Sequence, residues 1–180
     1  MPHLRTNRLE LTPLRSEDAA ELFAIRTEPS VARFQGWIPA DLAEAEDFIA
    51  RQGNAVFETP ESWFQLAIRP LDVDTLLGDL GVHFLEEGSR QVEIGFTLSP
   101  TEQGRGIATE AVGALLDHLF GVLDKHRVIA SVDPRNDRAI ALLTRLGFRQ
   151  EAHFVRSLLV DSEWVDDLRF GLLQEEWTRR

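Results

Sequence analysis

The sequence predicts an α/β fold built around one mixed sheet. Three observations carry that prediction. Segments of five to ten residues alternate polar and apolar side chains, as half-buried strands do. A long apolar-periodic stretch from Ala108 to Leu123 is followed by a continuous apolar strand, Arg127 to Val132. Between strand and helix lies a turn carrying two glycines, Gly104 and Gly106.

In order along the chain, Arg8 to Pro13 alternates as a first strand. Ser16 reads as the N-cap of a helix, with Glu17 and Asp18 complementing its dipole ahead of Ala19 to Ile25. Asp41 with Glu44 three residues on is a capping-box pattern for a second helix carrying Phe48 and Ile49. The loop between them, Arg33 to Pro39, holds large apolar groups. Phe34 and Trp37 in it are candidates for a substrate-site wall, with packing on the core as the alternative. Ser62 to Arg69, Leu76 to Leu85 and Gln91 to Leu98 read as strands, the last two joined by a hairpin loop at Glu86 to Arg90. If Val92 faces Phe84, the same register sets His83 opposite Glu93 on the other face. A helix over Ala139 to Leu146 ends at Gly147 as its C′ residue, and strands follow near Glu151 to Leu159 and Glu163 to Leu173.

Composition narrows the function. At 180 residues the chain fits a single domain, 1–180, large enough to bury a core unaided. Without cysteine it has no disulfide, thiolate metal site or thiol nucleophile. A formal charge of −11 argues against nucleic acid and favours cationic or neutral partners. No apolar run suits a membrane span, and Met1 to Arg5 opens no signal peptide, so a soluble cytoplasmic protein is expected. His3, His118 and His126 lack metal-ligand spacing, and no metal is implied. Tyrosine is absent, so no phenol can act anywhere.

The glycine turn is the most informative stretch. Gly104 and Gly106 let the backbone turn tightly and approach a ligand, and the free N–H groups of the following helix turn make an anion site. Arg105 and the Thr109 hydroxyl are further candidate donors. A Walker loop is excluded because no Gly-Lys-Ser/Thr occurs. A dinucleotide fingerprint, with Asp133 after a later strand, is the rival reading of an oxidoreductase. It is weakened by Thr109 at the third glycine position and by antiparallel hairpins upstream.

The spacing Gln103-x-x-Gly106-x-Ala108 resembles the acyl-CoA pyrophosphate loop of the GNAT N-acetyltransferase superfamily. The resemblance continues through Thr109-Glu110-Ala111, Asp133-Pro134-Arg135-Asn136 and Leu146-Gly147-Phe148. Arg5 to Leu11 at one end, and Asp166, Leu172-Leu173 and Glu176-Trp177 at the other, resemble the branch that includes ribosomal-protein N-terminal acetyltransferases.

This resemblance implies a mostly antiparallel central sheet flanked by helices, with two parallel strands splaying apart near Leu98 and Val132. It implies acetyl-CoA in the resulting V as acyl donor, its acetyl group passing directly to a primary amine and CoA leaving as the thiolate. Phe96, Thr97 and Leu98 would pair with the pantetheine. Gln103, Gly104, Arg105, Gly106, Ile107, Ala108 and Thr109 would hold the pyrophosphate. Asn136 would be a further cofactor contact, a cap of the following helix, or both, and Arg138 and Arg145 either phosphate contacts at the adenosine end or a solvated helix face. A homodimer is a state the branch often adopts. The family's acid and base positions are changed here: Leu143 stands for the usual Tyr, Ala139 for a Ser and Leu158 for a Glu. Glu93, with His83 opposite, is then the candidate base, a surface cross-strand pair being the alternative. Asp79 and His153 are weaker candidates, and Asp166 and Asp167 are structural or amine-binding. The missing acid and base residues also leave open a non-catalytic acyl-CoA-binding module.

Overall fold

The computed structural model describes residues 3–160 and 162–178; Met1 and Pro2, read above as opening no signal peptide, lie outside them. The chain runs β1 (Leu4–Arg5), β2 (Leu9–Pro13), α1 (Ala19–Thr27), α2 (Pro29–Ala32), α3 (Leu42–Gly53), β3 (Ser62–Pro70), β4 (Gly78–Phe84) and β5 (Gln91–Leu98). It continues through α4 (Ile107–Gly121), β6 (Arg127–Val132), α5 (Asp137–Arg145), β7 (Arg149–Val160), β8 (Glu163–Leu173) and α6 (Gln174–Trp177). The strands form one eight-stranded sheet in the order β1-β2-β3-β4-β5-β6-β8-β7. Every neighbouring pair is antiparallel except β5 with β6. This is the mixed α/β architecture expected, with β1, α2 and α6 added as elements too short to leave a periodic signal.

The two faces of the sheet carry different work. Val92, Ile94 and Leu98 of β5 point into the main core with Ala111, Val112, Leu115, Leu116, Leu119 and Phe120 of α4, whose spacing puts them on one helix stripe. Each leucine fully removed from water there contributes about 1.5–3 kcal/mol. The opposite face meets α1 and α3 in a smaller core built on Leu22, Ile25, Ile49 and Ala67. Because strand side chains alternate, Glu93, Gly95 and Thr97 belong to this second face.

Three local expectations meet the structure differently. Asp41 accepts from Glu44 N at 2.9 Å, but Glu44 reaches back to Ala40 N at 2.7 Å, one residue earlier than a capping box. Ser16 is not the N-cap of α1: it opens a 3-10 turn over Ser16–Asp18, and Asp18 takes the Arg15 N–H at 2.7 Å. Burial explains the change, since Asp18 also pairs with the buried Arg69 at 2.5 Å and draws the chain inward. Gly147 closes α5 at φ 83°, with Phe148 N on Leu143 O and Gly147 N on Thr144 O, both at 3.0 Å, a complete Schellman end.

Candidate active site

The parallel pairing of β5 and β6 lasts for three residue pairs: Gln91↔Arg127, Val92↔Val128 and Glu93↔Ile129. Beyond Glu93 the strands part, and the edge of β5 facing β6 carries unpaired backbone. A cleft of about 690 Å³ opens in that V. Of the residues singled out in the sequence, it brings together Phe34, Phe96, Thr97, Leu98, Gln103, Gly104, Gly106, Ile107, Ala108, Thr109, Asn136 and Arg145.

One end of the cleft is built for an anion. Gly104 and Gly106 sit at φ 75° and 78°, where a side chain would be strained, and Gly106 caps α4 with no side-chain acceptor on the first-turn N–H groups. Gln103 fastens the turn at both ends: its Nε2 donates to Leu98 O at 3.1 Å, and its Oε1 accepts from Arg138. Arg145 donates to Thr109 Oγ1 at 3.3 Å. Arg33 and Arg135 line the same cleft. Free helix N–H groups with several guanidiniums around them form a donor set that fits a pyrophosphate. Asn136 both borders the cleft and caps α5, its Oδ1 accepting from Ala139 N at 3.2 Å.

Arg105 is placed otherwise than expected. Its guanidinium pairs with Glu102, a cleft residue, at 2.7 Å, and Arg105 itself does not line the cleft. Trp37 is also outside it: the ring stacks on Phe48 at 4.5 Å and donates to Glu44 at 3.0 Å, so this half of the apolar loop packs on α3. Asp166 sits on the β7–β8 hairpin, 2.6 Å from His153 Nε2 and accepting from Arg156 N at 2.9 Å. The Arg156 N–H first, and His153 second, hold its carboxyl below the ordinary range. Asp79 is buried and paired to Arg26 at 2.5 Å; Arg26 in turn donates to Gln35, a cleft residue, at 2.9 Å.

Glu93 and His83 stand opposite each other as the register predicted, with Glu93 Oε2 4.0 Å from His83 Nδ1. Neither lines the cleft itself. Glu93 lies on the last parallel pair, at the apex of the V, and faces the α1–α3 side. Two of its neighbours escaped sequence reasoning. Arg169 of β8 places NH1 3.3 Å from Glu93 Oε1, and Trp63 of β3 stacks on His83 at 4.8 Å. Trp63 was visible as an aromatic on an alternating strand. Arg169 needed the strand order β5-β6-β8, which no local pattern encodes.

A parallel pair splayed over a glycine turn is the architecture of an acetyltransferase of the GNAT kind. Residues 8–149 match the family model described as an acetyltransferase (GNAT) domain, and the chain belongs to that family. It is 29% identical over 178 residues to the uncharacterized N-acetyltransferase p20 of Bacillus licheniformis, covering 98% of this chain and 99% of that one. It is 33% identical over 85 residues to the ribosomal protein uS5-alanine N-acetyltransferase of Escherichia coli, covering 47% of this chain and 44% of that one. A GNAT-family acetyltransferase crystal structure from Bacillus anthracis superposes with a TM-score of 0.87 at 21% identity, covering 97% of this chain and all of that one. The protein is an acetyltransferase, and the family's general reaction moves an acetyl group from acetyl-CoA to an amine.

Proposed function

We propose that this enzyme acetylates a primary amine, either a peptide or protein N-terminus or a small cationic amine, by direct attack within a ternary complex with acetyl-CoA. The observation that carries the reading is the cleft, in which the unpaired edge of β5 leads from the apex at Glu93 to the donor-rich start of α4. The first-turn N–H groups of α4, with Arg138 and Arg145, hold the pyrophosphate. Backbone groups of Phe96 to Leu98 pair with the pantetheine and orient the thioester, and their N–H groups favour the oxyanion as the amine attacks.

Glu93 takes the proton that a substrate ammonium must lose before it can attack. No tyrosine is needed for the departing sulfur, because a thiol of ordinary pKa about 8.5 leaves tolerably as the thiolate. Positioning of the two substrates supplies much of the remaining acceleration. The acidic chain suits a cationic acceptor. Two relatives indicate which acceptors to try: one is named for the uS5 alanine, and another, from Vibrio cholerae, is a spermidine N(1)-acetyltransferase.

The test is CoA release from acetyl-CoA in the presence of N-terminal-alanine peptides, spermidine and simple alkylamines. Turnover with at least one of them is expected. Glu93→Gln should lower kcat by about a hundredfold or more while acetyl-CoA binding persists. Full activity in that variant would remove Glu93 from the chemistry.

A further inference from the structure

The side chains around Glu93 form a chain of contacts on the sheet face opposite α4. Arg169 NH1 lies 3.3 Å from Glu93 Oε1, and its NH2 lies 3.5 Å from Asp167 Oδ2. Asp167 is buried and accepts a hydrogen bond from Ser131 Oγ on β6. Both contacts of Arg169 are single-nitrogen and long beside the 2.5 Å of the Arg26–Asp79 pair. Two carboxylates thus share one guanidinium. Arg169 also has somewhere else to go: it stays paired to Asp167 if it releases Glu93.

The approach to Glu93 along this face runs over two glycines and beside Trp63, whose ring, with Gln65, would lie 3.0 Å from a Cβ at Gly81. Gly95 separates Glu93 from Thr97, a cleft residue, and Gly81 lies directly opposite Gly95 on β4. Glu93 and Thr97 are four residues apart, about 13 Å along the strand. A Cβ at Gly95 would meet nothing nearer than the Trp63 ring at 4.0 Å. Trp63 is 40% exposed, and although one face of its ring stacks on His83, the exposed remainder lies where a cation travelling this path would pass.

We propose that Arg169 is a positioning residue that occupies Glu93 in place of the acceptor: the substrate's primary ammonium enters past Trp63, takes over the Glu93 carboxylate, and Arg169 withdraws onto Asp167. The proposal rests on Glu93 as the base and adds the cation that must be displaced before Glu93 can act. It makes the site selective for amines that arrive charged, since a neutral group has nothing to offer Glu93 in exchange for the guanidinium.

The experiment uses the full chain saturated with CoA and titrated with butylammonium chloride, with sodium chloride at equal ionic strength as control. The Arg169 Nε–Hε resonance, identified by its loss in Arg169→Lys, should move with butylammonium and not with sodium. Arg169→Gln should bind butylammonium about fivefold more tightly, the size of one partly exposed ion pair. A merely structural arginine would give weaker binding or no change. If butylammonium binding is lost in Glu93→Gln while Arg169 neither moves nor competes, the displacement is overturned and the Glu93 reading stands. If Glu93→Gln binds it as wild type does, the Glu93 reading falls and the proposal with it. Should Arg169→Gln fail to fold, the wild-type titration decides alone: an unmoved resonance, or no binding at all, overturns the proposal.

Discussion

Arg8 and Glu110 lie 102 residues apart in sequence, yet Arg8 Nε and NH2 stand 2.7 and 2.6 Å from Glu110 Oε2. The same guanidinium donates to Arg105 O at 3.2 Å, and its NH2 would lie 3.5 Å from a Cβ at Gly106. The bend leading into β2 is thereby tied to the glycine turn and to the first turn of α4. Arg8→Gln should leave the sheet folded and loosen that turn. Acetyl-CoA affinity, measured by calorimetry, should fall about five- to tenfold, with a smaller change in kcat. Unchanged affinity would show that the turn holds its shape without the tie.

Glu110 gives this tie a pH dependence. Burial pushes its carboxyl upward, but hydrogen bonds from the Thr6 hydroxyl and from Arg8, with the charge of Arg8, outweigh it and hold the group below its ordinary value of 4.5. A carboxyl depressed in the folded state stabilises the fold fully above its unfolded pKa, and that contribution is lost as pH falls through the folded one. Glu110→Gln removes the group from the titration. The gap in thermal midpoint between wild type and Glu110→Gln should be widest near neutrality and shrink as pH drops below 4.5. A gap that stays constant into acid would contradict this assignment.

Sequence reasoning reached the parts of the site that are local in the chain. The His83–Glu93 register followed from a short hairpin loop and strict alternation, and the Asn136 cap and Gly147 end followed from helix-terminal chemistry. The glycine turn was legible for the same reason, because its residues act through their own backbone. What escaped depends on which strands become neighbours. Arg169 reaches Glu93 across β6, and Arg8, in the bend between β1 and β2, reaches Glu110 because α4 docks against those two strands. Trp37 shows the other limit: large apolar residues in a loop are equally suited to walling a site or to packing, and the Phe48 ring on α3 decides it.

The buried Arg26–Asp79 pair supports the Gln35 and Thr97 side of the cleft from below. Asp79 is 1% exposed, and Arg26 extends the network to Gln35, which also accepts from Thr97 Oγ1 at 3.3 Å. Asp79→Ala strands a guanidinium away from water, and breaking a buried pair in this way costs about 3–5 kcal/mol. Urea unfolding should show a loss of that size. A loss below about 1 kcal/mol, the figure for a surface pair, would mean that water reaches Arg26.

Asn136 allows its two roles to be separated by a single substitution. As the cap of α5 it needs only a side-chain oxygen to accept from Ala139 N, and aspartate caps as well as asparagine does. Aspartate also places a negative charge at a helix N-terminus, which favours the fold. The same charge would border a cleft lined by Arg33, Arg135, Arg138 and Arg145, in competition with the cofactor's phosphates. Asn136→Asp should therefore keep or slightly raise the thermal midpoint while weakening acetyl-CoA binding about tenfold, and more at low salt. Equal affinity in the variant would leave Asn136 as a cap alone. A lowered midpoint with affinity intact would show that the carboxylate cannot take up the Ala139 N–H at all.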